Sequence, residues 1–109
     1  GLIFMLMVSV IYAHPPSDIK ITFDPRTKML QAVIMHNVSN PLKHYIKKAD
    51  IALNGDEIAE IGFLKQDNNQ SQLVSYSIQA AKDGDVISVE GYCSISGKLK
   101  EEITIKTYE

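Results

Sequence analysis

The sequence contains no tryptophan and a single cysteine among its 109 residues. One thiol closes no internal disulfide, which excludes a disulfide-stapled scaffold. Positive charge is not in excess. The formal net charge is −2 and the isoelectric point about 5.9, against the strongly basic balance usual in nucleic-acid binders. Gly55, Gly62, Gly84, Gly91 and Gly97 are spread singly, so no glycine-rich phosphate loop is present. No window holds a sustained apolar repeat of 3.6 residues, which excludes long amphipathic helices. The length admits one domain and excludes a two-domain dinucleotide-binding enzyme. What remains is a chain with 45% apolar and 22% charged residues, the profile of a soluble globular protein.

Residues 1–13, GLIFMLMVSVIYA, carry no charge. The run is shorter than the about 20 apolar residues that span a bilayer. Ending in the small Ala13, it fits the apolar region of a secretory signal, although a basic start is missing from the sequence. Cleavage after Ala13 is the preferred expectation, giving an exported (periplasmic or extracellular) chain that begins at His14. An uncleaved, truncated membrane anchor and a buried first strand are the alternatives. The expected domain then covers residues 14–109, with membrane contact only if residues 1–13 are retained.

Within that domain the pattern is strand after strand. Ile19, Ile21 and Phe23 alternate with Lys20 and Thr22, and Asp24-Pro25-Arg26-Thr27 reads as a turn. A mostly apolar run from Met29 to His36 predicts a central strand. The next strand is expected over His44 to Leu53, with Tyr45, Ala49, Ile51 and Leu53 in phase. Asn54-Gly55 predicts a type I′ hairpin, since both residues tolerate positive φ. Glu57 to Leu64 continues it. Lys65 to Gln72 reads as a polar loop, followed by alternation at Val74, Tyr76 and Ile78. Val86 to Cys93 and the segment around Leu99, Ile103 and Ile105 complete the series. About seven short strands predict an all-β, immunoglobulin-like antiparallel β-sandwich.

The residues able to carry chemistry lie at strand ends. His14 stands at the expected mature start, His36 ends a strand, His44 begins the next, and Cys93 ends a later one. A sandwich gathers its strand ends at two poles, so these four can converge. Imidazole and thiolate suit zinc, iron and copper, and four donors suffice for a tetrahedral site. The bland alternative is a small core cysteine with solvated loop histidines. Asn37-Val38-Ser39 and Asn69-Gln70-Ser71 have the form of glycosylation sequons. Lys47-Lys48 reads as a solvated strand edge.

Pro41-Leu42-Lys43-His44-Tyr45-Ile46, taken with Tyr92-Cys93-Ser94-Ile95-Ser96-Gly97, resembles the iron domain of superoxide reductases, the desulfoferrodoxin family. The order and spacing agree over about Ile19 to Ile105. The resemblance implies a seven-stranded immunoglobulin-like sandwich. It implies ferrous iron held by four imidazoles and an axial thiolate, reducing superoxide with electrons from a separate donor. On this pattern His44 matches one equatorial histidine, Cys93 the axial cysteine and His14 the N-terminal histidine. Two ligands do not match. Ser96 stands where the family has a histidine after the cysteine, and Asn40 where it has the histidine of a His-Pro segment. His36, four residues before Asn40, is an extra histidine placed to substitute. The expected metal set is therefore His14, His36, His44 and Cys93. Iron is the expected metal. Zinc is an alternative, and so is copper, which the free amine of an N-terminal His14 would help to chelate. The rival reading is a non-catalytic exported sandwich that binds a partner and has lost its metal.

Overall fold

The computed structural model describes residues 14–107. The expectations for residues 1–13 therefore lie outside the described residues. Seven strands follow in order: β1 (Asp18–Asp24), β2 (Met29–Met35), β3 (Ile46–Leu53), β4 (Asp56–Gly62), β5 (Ser71–Ser77), β6 (Val86–Cys93) and β7 (Lys98–Thr104). One sheet has the order β1-β2-β5 and the other β4-β3-β6-β7, with every pair antiparallel. The described residues contain no helix, and thus none long and apolar enough to cross a membrane. The fold is the expected all-β sandwich.

Alternation builds the core. On β2 the inward residues Leu30, Ala32 and Ile34 are fully buried, and on β6 Ile87 and Val89 face them. Truncating one of the large ones to alanine costs about 2–5 kcal/mol through lost transfer energy and the cavity left behind. Asn54 and Gly55 take φ values of 52° and 87°, the left-handed geometry of the expected hairpin turn.

Two local departures follow from hydrogen bonding that periodicity does not express. β3 begins at Ile46, not His44, and its ladder with β6 shifts register between Ile46 and Lys48. The extra residue lets even-numbered Ile46 share the core with odd-numbered Ala49 and Ile51, while Tyr45 stays half-buried. β5 begins at Ser71, inside the expected polar loop. Gln72 occupies a core position there, its Oε1 accepting the Asp67 N–H at 3.0 Å and its Nε2 donating to the Leu73 carbonyl at 2.9 Å.

The topology sorts the connections into two poles. The segment before β1 and the β2–β3, β4–β5 and β6–β7 links share one pole. The sheets come close near it. A Cβ on Gly91 would lie 3.1 Å from Ile34 Cγ2 and 3.6 Å from Pro16 Cγ, so β6 approaches β2 tightly there.

Candidate metal centre

Four segments deliver one ligand-bearing side chain each to this pole. His36 follows β2 directly and keeps the inward phase of Leu30, Ala32 and Ile34, which leaves it 0% exposed. Its backbone N–H donates to the Gln70 carbonyl at 2.8 Å. Cys93 closes β6 in phase with Ile87, Val89 and Gly91 and is 2% exposed. His44 is aimed by a tight turn. The Asn40 carbonyl accepts N–H bonds from Lys43 and His44 at 3.1 and 2.9 Å, and Asn40 Oδ1 accepts one from Leu42 at 3.0 Å. Tyr45 then ties this turn to the residue after Cys93. Its carbonyl accepts the Ser94 N–H at 2.7 Å, and its own N–H donates to Ser94 Oγ at 3.1 Å. His14 is held through its neighbours: Ser17 donates its N–H to the Met35 carbonyl at 2.8 Å, and Pro16 is buried.

The three imidazoles converge. One ring nitrogen from each of His14, His36 and His44 lies within 4.8 Å of the others. The ring centroids are 4.9 Å apart for His14–His36, 5.1 Å for His14–His44 and 4.8 Å for His36–His44. Nitrogens about 2.0–2.1 Å from one ion sit about 3.3 Å apart at tetrahedral angles and about 4.1 Å apart when opposite. The three could hold one ion once the nitrogens close from as much as 4.8 Å to these separations. Cys93 Sγ lies 3.2 Å from His44 Nε2, within the roughly 3.1–3.5 Å that separates nitrogen and sulfur donors on a shared ion. The Ile95 N–H points at the same sulfur from 3.4 Å.

The electrostatics suit metal ligation. Burial holds the His44 imidazole below its ordinary pKa, and repulsion from His36 and then His14 adds to the effect. The neutral ring so favoured is the form that binds metal. His14 Nδ1 lies 3.1 Å from the Pro15 carbonyl, which keeps the hydrogen on Nδ1 and the lone pair on Nε2.

All four residues singled out from the sequence reach the same pole. Cys93 adjoins the imidazole cluster through His44. Asn40 and Ser96, at the family's two unmatched histidine positions, are both exposed. His36 occupies the interior position between the sheets. Sequence reasoning missed Gln66. It lies in the stretch read only as a polar loop, yet it is 2% exposed and hydrogen-bonded to His36. No periodic signal marks a lone glutamine in such a loop. Leu42 and Leu64, also at this pole, are exposed large apolar side chains.

No protein-family model matches the chain, and no characterised protein is similar enough in sequence to match it.

Proposed function

We propose that this chain is an exported desulfoferrodoxin-like domain that binds one metal ion, iron, through His14, His36, His44 and Cys93, and that it reduces superoxide. One observation carries the reading: three imidazoles with ligand atoms within 4.8 Å of one another, beside a thiol 3.2 Å from one of them. Ferrous iron, when bound, supplies the one electron that with two protons converts superoxide to hydrogen peroxide. A separate donor returns that electron. The protein's part is to hold the donors and limit access. His36 and Cys93 are buried while His14 and His44 are half-exposed, so small molecules reach the centre from the His14 and His44 side. The Ile95 N–H steadies the sulfur from the β6–β7 link.

A second reading has its own support. Three nitrogens and one sulfur make four donors, the number that closes a structural zinc site.

The deciding measurement is metal content of the protein purified without oxygen or chelator, beside Cys93→Ala. Near-stoichiometric iron, absent from the variant and giving a thiolate charge-transfer band on oxidation, is the expected result. Stoichiometric zinc would assign the structural role. Absence of metal from both proteins would overturn the proposal and leave a binding module. Export is tested separately, by the mass of the secreted N-terminus, which is expected to start at His14.

A further inference from the structure

We infer that Gln66 is a positioning residue that locks His36 as the Nδ1–H tautomer and so presents its Nε2 lone pair to the imidazole cluster. The lock is set by hydrogen-bond accounting. Gln66 Nε2 lies 2.8 Å from two carbonyl oxygens, those of His36 and Asn68. A carbonyl only accepts, so both must face the NH2 end of the carboxamide. The other end is then oxygen, and it lies 2.8 Å from His36 Nδ1. An oxygen that only accepts requires a hydrogen on Nδ1. In the neutral ring Nε2 is left without one.

The consequence is visible on the far side of the ring. His36 Nε2 lies 3.2 Å from the His14 carbonyl oxygen. With the hydrogen held on Nδ1, two lone pairs of the neutral ring and the carbonyl face each other across a partly buried contact, and a cation bound beside them relieves the repulsion. Left to itself, the ring would place its hydrogen on Nε2 and donate to that carbonyl, blocking the donor nitrogen. Gln66 prevents this. It is itself fixed, because its backbone N–H donates to the Pro41 carbonyl at 3.0 Å, joining the β4–β5 link to the turn that carries His44. One side chain thus couples the tautomer of one imidazole to the loop that aims another. Outer partners of this kind orient metal-bound histidines and raise their basicity.

The role in metal binding rests on the proposed function, whereas the tautomer does not. Two-bond nitrogen–proton NMR on the metal-free protein above neutral pH reads it directly. The expected spectrum shows His36 protonated at Nδ1. In Gln66→Leu the proton is expected to move to Nε2, with cobalt affinity falling about 10–100-fold. Gln66→Glu keeps the acceptor and is expected to keep the Nδ1–H form. A wild-type His36 protonated at Nε2 would overturn the inference without any variant, so a Gln66→Leu protein that failed to fold would not shield it. An unchanged tautomer in a folded Gln66→Leu would overturn it too. A wild-type protein with the Nδ1–H form but no affinity for cobalt would sink the metal reading and leave the lock standing.

Discussion

Replacing Gly97 with alanine is expected to disturb the candidate metal site without altering any of its histidines or Cys93. Gly97 sits at φ 92°, and a Cβ there would lie 3.0 Å from the N, Cα and Cβ of Pro15. Two penalties follow. A left-handed backbone costs an alanine roughly 1–2 kcal/mol. The new methyl also presses on backbone atoms, which yield less readily than the tip of a flexible side chain. Pro15 has to shift, and His14 is bonded to it. Gly84 separates the two effects. It has φ 85° and nothing within 4 Å of its Cβ, and it lies at the opposite pole. Gly84→Ala therefore carries the conformational cost alone. Urea unfolding should show both variants destabilised, Gly97→Ala the more. Each kcal/mol lowers Tm by about 4–8 °C in a domain of this size. Cobalt titration should separate them further, with affinity unchanged in Gly84→Ala and reduced about 10-fold or more in Gly97→Ala. Equal affinities in the two folded variants would refute the claim that this contact sets the position of His14.

Gly91→Ala drives a methyl to 3.1 Å from Ile34 Cγ2, and Ile34 is fully buried, so it has to give by a few tenths of an ångström inside the core. It should destabilise the fold by about 1–3 kcal/mol in denaturant titration. The Lys82 ammonium, followed by the Asn54 amide, holds the Asp85 carboxyl down at about 2. Its folded pKa is depressed, so its contribution to stability is complete above the ordinary value of about 3.9 and lost as pH falls toward 2. Asp85→Asn should be less stable than wild type at pH 7. Urea midpoints measured from pH 7 down to 2.5 should bring the two together, and a constant gap would contradict the assignment.

The strands were legible because one face of each is buried and period-2 alternation reports that directly. β1, β2 and β6 show it plainly, and Asn54-Gly55 marked its hairpin because few residue pairs accept φ values of 52° and 87°. The alternation misled where the ladder slips. Ile46 and Ala49 both face inward across the irregularity in the β3–β6 pairing, so strict parity drew Tyr45 into the core and started the strand two residues early. It was blind where a polar side chain fills a core position. Gln66 and Gln72 are buried because each finds hydrogen-bond partners at 3.0 Å or less, and nothing local in the sequence distinguishes them from the exposed Gln70.

The candidate site was legible for a different reason. Strand ends meet at poles, so placing His36, His44 and Cys93 at strand ends was enough to bring them together once the sandwich was granted. The sequence left open whether a histidine four residues before Asn40 could serve. The phase of β2 places it beside the other two imidazoles. His36 extends the inward row of Leu30, Ala32 and Ile34 by one more step, whereas Asn40 lies in an exposed turn whose carbonyl and side chain are spent on aiming His44. The histidine just past the strand thus joins the imidazole cluster, while the asparagine in the turn orients His44. Ser96 is exposed and has no such substitute, since the chain has three histidines and all three lie in the one cluster. Three imidazoles converge, Cys93 adjoins one of them, and the partly exposed side lies toward His14 and His44. That is where a reactive centre differs from a closed one. For this reason metal identity is the first question, and reaction with superoxide the second.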